Sequence, residues 1–337
     1  MKAVNWKMAV AAVGFTCLAG MARAEEASLI FATTDPGTIE LNTLLLHPWA
    51  DRVNQSGAGV LHIDLRDGAA IANHANYYDR VMDDVVQIAF GQMNFIAGKF
   101  PRAGVMNLPF IADNSENASV AFWRLYKSGL LDAEFNGIKP ILFASLPQGG
   151  LHMAKPLATL DNLSGLKVAA GAKAMTVAVA DLGGAPLSIT APDLYEAIQR
   201  HTVDGSVMIW QGLLTFKLDE VTTYHVESQL GASLAMLFMT QKRYDALTPA
   251  ARKAIDDNAG EPASRLAGAY YDEAQKTARA RVVAEGGHTI VSLTPAQAAS
   301  WRQRIEPATD DWAKTTPDGE KVLARFRTIM TEVKAGR

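Results

Sequence analysis

Cysteine is almost missing from this sequence: Cys17 is the single one in 337 residues. One cysteine makes no intrachain disulfide and no multi-thiolate metal site. Positive charge is not in excess either, because 32 Lys and Arg stand against 35 Asp and Glu, a net charge of −3. That balance argues against a nucleic-acid-binding face, which is normally basic. Internal repeats, low-complexity tracts and Ser/Gly linkers are lacking. So are the common catalytic signatures. No H-E-x-x-H occurs, and no two of the histidines at 47, 62, 74, 152, 201, 225 and 288 stand three or four apart. Dinucleotide and phosphate-loop glycine patterns are absent, as is a G-x-S-x-G elbow. Asp83-Asp84 and Asp256-Asp257 are adjacent acids; neighbours on a helix diverge, so both pairs read as solvated faces. Together these absences disfavour an enzyme and imply neither cofactor nor metal.

What is present begins with a leader. Lys2 and Lys7 precede an apolar stretch over residues 8–22 that ends in Ala22-Arg23-Ala24. The stretch is shorter than the roughly 20 residues that a membrane-spanning helix requires. It reads as a secretory signal peptide, residues 1–24, with cleavage after Ala24. Its removal would take away Cys17 together with Lys2, Lys7 and Arg23, leaving a more acidic exported protein. The composition, 49% apolar and 20% charged, is that of a globular chain, and the length suits two lobes.

The pattern along the chain alternates. Residues 28–32 read as a strand and 33–38 as a polar loop containing Asp35-Pro36-Gly37. Leu41, Leu44, Leu45, Trp49 and Val53 recur at helical spacing, with Pro48 expected to kink that helix. Strands are expected at 60–65, 86–90, 138–146, 151–154 and 166–169, and helices at 77–86, 118–127 and 174–182. Thr190 with Asp193, and Thr294 with Gln297, mark helix starts. Residues 249–285 read as nearly continuous helix, interrupted near Glu261-Pro262 and long enough to strut two lobes. The expected class is therefore α/β: two interwoven lobes with mainly parallel sheets.

Several segments resemble the solute-binding proteins of TRAP transporters, the DctP-like family. They are Leu163 to Val168 ("L-S-G-L-K-V"), Ala180 to Leu187 ("A-D-L-G-G-A-P-L"), Asp193 to Gln199 ("D-L-Y-E-A-I-Q") and Thr202 to Gly205 ("T-V-D-G"). Trp210 and Phe216 to His225 ("F-K-L-D-E-V-T-T-Y-H") resemble one branch of it. Pro48-Trp49-Ala50, Lys99 to Phe110 and Arg243 to Ile255 extend the likeness over nearly the whole mature chain. The resemblance implies two lobes hinged around a cleft and braced by a long helix, with residues 25–150 and 240–285 in one lobe and 151–239 and 286–337 in the other. It implies a periplasmic receptor that captures a small organic acid and delivers it to membrane permease subunits, without covalent chemistry. The alternatives are a periplasmic enzyme on the same bilobal fold, or a receptor serving a sensor or another transporter.

The sequence departs from the family at two positions. An arginine that grips a substrate carboxylate is usual where Ala169 stands, and an asparagine is usual a few residues after "V-D-G", where Ser206 to Ile209 run. Two explanations stay open: a more apolar ligand, such as an aromatic or keto acid, or donors placed elsewhere. Cleft ligands of α/β sheets bind at the carboxyl ends of strands. That rule selects Thr34, Gln92, Asn94, Gln148, Ala169, Met208, Trp210 and Gln211 as candidate ligand-binding residues, with Phe95 nearby. Gln211 stands where the family branch often has Glu. Lys173 and Arg102 are expected to face water, Asp35 to shape a turn, and His152 to be a satisfied strand residue.

Overall fold

In the computed structural model, residues 26–337 are described, so the leader lies outside the described residues. In chain order the strands are β1 (Ala27–Ala32), β2 (Leu61–Arg66), β3 (Ile88–Gln92), β4 (Ile138–Ser145), β5 (Gly150–Met153), β6 (Lys167–Ala169), β7 (Ala185–Leu187), β8 (Gly205–Met208), β9 (Tyr224–Glu227), β10 (Leu234–Thr240) and β11 (Thr289–Ser292). They form two sheets, ordered β2-β1-β3-β10-β4 and β11-β9-β5-β8-β6-β7. Each sheet is the heart of one lobe, and each is mainly parallel with a single reversed strand, which makes both sheets mixed. β10 is antiparallel to β3 and β4, and β5 is antiparallel to β8 and β9. The reason lies in the path of the chain. β4 leads into β5 and β9 into β10, so β5 and β10 are the strands entered from the other lobe. They start at the cleft edge, where the strands beside them end.

The two crossings are laced to each other. Leu146 N–H donates to Ser233 O at 2.8 Å, Gly149 N–H to Gly231 O at 2.7 Å, and Leu230 N–H to Gly149 O at 3.2 Å. A third connection is the helix Gly260–Glu285. Its buried stripe, Ala263, Ser264, Ala267, Gly268, Tyr271, Ala274, Ala278 and Val282, repeats at three- and four-residue steps, as a helix seated along one face requires. Ala263, Ala267 and Tyr271 belong to the core of the first lobe, with Trp49 and Phe90. Ala278 and Val282 belong to a core of the second, with Trp210 and Leu213. One helix therefore braces both lobes.

The expected interruption near Glu261-Pro262 falls earlier. The helix Pro249–Asp256 ends first, and Gly260, with φ +84°, begins the long one. Pro262 sits in the first turn, where its missing N–H is no loss. Ahead of Pro48 the segment Asn42–Leu46 is wound as π-helix, and the α-helix His47–Ser56 follows with the proline in its first turn. The capping box of Thr294 with Gln297 is formed.

The expected lobe boundaries need two corrections. The second crossing comes before β10, so the first sheet includes Leu234–Thr240. The tail also does not stay with the second lobe. In the helix Gly319–Lys334, Val322, Phe326, Ile329, Met330 and Val333 are buried in the same first-lobe core as Phe122 and Leu125. An amphipathic stripe states that a helix has a partner but not which lobe supplies it.

Candidate functional site

In the second sheet Ala169 and Met208 end β6 and β8, and Gly150, the first residue of β5, pairs with Met208. On the first-lobe side, Thr34 and Asp35 follow β1. The Thr34 hydroxyl donates to Asp35 Oδ2 at 2.9 Å, and His74 Nε2 stands 3.2 Å from Asp35 Oδ1. Burial opposes the charge on Asp35, but the His74 contact and the Thr34 hydroxyl prevail and hold the carboxyl below the usual carboxylate range. The His74 ring lies 5.1 Å from that of Phe95, which is 51% exposed at the rim. Beside it, Asn94 Oδ1 is buried with no hydrogen-bond partner. Gln92 is half-buried, and its carbonyl accepts from the Tyr77 hydroxyl at 3.0 Å.

On the second-lobe side, Ala169, Met208 and Trp210 share one apolar cluster with Leu194, Ile198 and Leu213. Ala169 is 1% exposed. Trp210 N–H donates to Gln275 Oε1 of the long helix at 2.8 Å, and Gln211 Nε2 donates to the Tyr270 hydroxyl at 3.3 Å. The second-lobe edge and the brace are thus tied together. Gln148 is spent on the hinge: its Oε1 accepts from Gly231 N–H at 2.8 Å and its Nε2 reaches Leu108 O at 3.4 Å. It also borders a cavity of ≈ 250 Å³ at the end of the cleft beside the crossings, lined by Asn114, Ser145, Glu227, Asp272 and Gln275 among others. Lys173 is exposed. Arg102, expected to face water, is mostly covered, with 14% of its side chain exposed, and pairs with Asp318 of the tail at 2.8 Å.

The candidates therefore fall into separate groups. Thr34 and Asn94 lie on the first lobe near Phe95. Ala169, Met208 and Trp210 lie on the second, and Gln148 lies in the hinge.

Three histidines form a cluster that the sequence did not reveal. His152 Nδ1 lies 2.8 Å from His225 Nδ1, and His225 Nε2 lies 3.0 Å from His288 Nδ1. His152 Nε2 reaches Met208 O at 3.0 Å. The Trp210 ring is 4.8 Å from that of His152 and 5.0 Å from that of His225. Burial pushes the His152 imidazole down to about 4. Burial, then the neighbouring His152 and His288, push His225 down to about 3. His152 and His225 meet because β5 and β9 pair them directly across the sheet, a register that residue spacing does not encode. A second hub missed by sequence is Asp67, which accepts from the Thr33 hydroxyl at 3.0 Å and from Asn42 Nδ2 at 3.1 Å, and lies 3.0 Å from His47 Nε2. Among the described residues no group of three or more His, Cys, Asp or Glu is placed to hold a metal ion, and no helix is long and apolar enough to cross a membrane.

Comparison with known proteins bears on this geometry. A family model, "Bacterial extracellular solute-binding protein, family 7" (DctP), matches residues 32–315. The outer membrane transporter protein TsaT of Comamonas testosteroni is 26% identical over 252 residues, 73% of this chain and 74% of that one. The C4-dicarboxylate-binding periplasmic protein DctP of Rhodobacter capsulatus is 24% identical over 230 residues, 68% of each chain. A crystal structure of a TRAP solute-binding protein from Rhodoferax ferrireducens T118, in complex with copurified benzoate, superposes with a TM-score of 0.82 at 25% identity. The match covers 92% of this chain and 100% of that one.

Proposed function

Because the chain belongs to the family 7 bacterial extracellular solute-binding proteins, the DctP family, we propose that it is the periplasmic receptor of a TRAP-type transporter. It captures a small organic acid, an aromatic or keto acid, between its lobes and delivers it to the membrane permease subunits. The observation that carries the ligand class is the second-lobe edge. Ala169, Met208 and Trp210 sit there in one apolar cluster, and no arginine is present at position 169 to grip a carboxylate. A structural relative holds benzoate, a ring with one carboxylate, which suits an edge of that character.

The mechanism is capture, closure, delivery and reopening. Two laced crossings and one long helix join the lobes, which restricts their relative motion to a hinge. A ligand touching both lobes favours the closed state by its differential affinity for it. Polar groups for the carboxylate come from Gln92 and Asn94 on the first lobe and Gln211 on the second. No covalent step is involved, and the cycle needs no cofactor.

A thermal-shift panel on residues 25–337 tests this. Benzoate or mandelate at about 100 times its dissociation constant is expected to add about 2.7 kcal/mol, a rise of several degrees in Tm, whereas succinate leaves Tm unchanged. Stabilisation by succinate alone would overturn the aromatic assignment. Consumption of a panel acid without stabilisation would overturn the receptor itself.

A further inference from the structure

We propose that Phe95 and His74 form the platform on which the ring of the captured acid lies, with Asp35 fixing the platform and excluding a second carboxylate. This rests on the receptor function proposed above and assigns the first lobe's share of its specificity.

The platform stands where three loops meet. β1 is parallel to both β2 and β3, so the three strands end at one edge of the first sheet. That edge is the one from which the chain crosses over. Ser145, the last residue of β4, pairs with Leu234, the first of β10, and Gln92, the last of β3, pairs with Ala235. Asp35 follows β1, His74 follows β2 and Phe95 follows β3. Ligands of open α/β sheets bind outside such carboxyl ends.

Phe95 is turned outward by its own neighbours. Met93 and Ile96, on either side of it, are buried in a core of the first lobe. Among the described residues Phe95 is the one Phe, Tyr or Trp that stands exposed. A ligand that covers this apolar surface gains by doing so. The His74 ring lies 5.1 Å away, tilted by 33°, and 42% of the His74 side chain is open. Neither imidazole nitrogen is free to meet a ligand. Nε2 is held by Asp35 Oδ1 at 3.2 Å, and Nδ1 is buried without a partner. His74 therefore offers ring carbon, as Phe95 does. Two such rings suit the face or edge of a third.

Asp35 keeps this arrangement in place. Its Oδ2 accepts from the Thr34 hydroxyl, and its Oδ1 faces His74. Its backbone carbonyl accepts from the Thr33 hydroxyl, Asn42 Nδ2 and Gly68 N–H, so the loop beneath is fixed. With its carboxyl held below the usual range, Asp35 stays charged at neutral pH, and 30% of its side chain is open. It repels a like charge brought onto the platform. A bound ring then lies with its carboxylate turned away from Asp35, and a ring with a second carboxylate at its opposite end is disfavoured. The favoured class is the aromatic monocarboxylic acids.

Calorimetric titration of residues 25–337 with benzoate, cyclohexanecarboxylate and terephthalate tests this. Cyclohexanecarboxylate has the charge and nearly the size of benzoate but no π face, and terephthalate adds a second carboxylate opposite the first. The wild type is expected to bind benzoate more tightly than either. Phe95→Ala is expected to weaken benzoate about tenfold and cyclohexanecarboxylate only about threefold, the difference being the ring-on-ring contact. Phe95→Tyr is expected to restore the preference. Phe95 is exposed, so the alanine variant is expected to keep the wild-type Tm, which separates lost binding from lost folding. Asp35→Asn is expected to raise the affinity for terephthalate relative to benzoate. Equal losses for the two monoacids in Phe95→Ala, or no loss, would overturn the platform and leave the receptor standing. Terephthalate bound by the wild type as tightly as benzoate would overturn the exclusion by Asp35. A wild type that binds none of the three acids would count against the receptor and take the platform with it.

Discussion

Replacing Gly268 by valine is expected to destabilise the fold by about 3 kcal/mol, at the upper end of what overpacking costs. A Cβ at Gly268 would stand 2.4 Å from Ser115 O and 2.6 Å from Glu116 Cα, both backbone atoms of the helix Ser115–Lys127. That helix has no room to retreat. Asp272, one turn further along the long helix, accepts the N–H groups of Ser115 and Glu116 at 2.8 and 2.9 Å. The Ser119 hydroxyl donates to Ser115 O at 2.7 Å and accepts from Ser145 N–H at 2.8 Å. Ser264 accepts from Phe143 N–H at 3.0 Å. The crossing is therefore fixed to β4 from two sides. Elsewhere in a helix, glycine is worse than alanine by about 1 kcal/mol, so the sign of Gly268→Ala is informative. Urea denaturation is expected to show loss for both variants, with valine the worse. Stabilisation by alanine would mean that the two helices do not touch there.

Replacing Trp210 by alanine is expected to remove about 4 kcal/mol, as large-to-small changes at buried aromatic residues do. It is also expected to abolish acid binding. Trp210 is 5% exposed and lies against Leu213, Ala278 and Val282 as well as His152 and His225. Its backbone N–H is held by Gln275, so the start of its helix remains tied to the brace when the side chain is lost. Trp210→Phe separates core from site. It keeps most of the apolar volume, and it is expected to weaken benzoate binding about tenfold while losing under about 1.5 kcal/mol of stability. Equal affinity in the phenylalanine variant would make the tryptophan a core residue alone.

Local pattern carried most of the fold. The strands at Ala27–Ala32, Leu61–Arg66 and Ile138–Ser145 lie within one residue of where alternation and apolar runs put them, because a strand's burial is written in its own residues. Which strands pair is not local. Nothing near His152 announces that His225 lies across from it, or that Ser206 and Ala169 extend the pairing on its other side. The tail helix is a related case: its stripe from Val322 to Val333 is plain, but its seat on the first lobe depends on a surface built from distant segments. In the candidate site, the choice of strand ends selected Met208 and Trp210, which do lie together. It also selected Gln148, whose amide is used on both sides by the hinge. A glutamine after a strand looks the same in sequence whether it faces a ligand or a neighbouring backbone.

Isothermal titration of residues 25–337 with benzoate is the most direct trial of the receptor function. The expected trace shows one site per chain, with heat that decays to baseline after each injection and vanishes at saturation. A baseline displaced for as long as benzoate lasts, the mark of turnover, would contradict it.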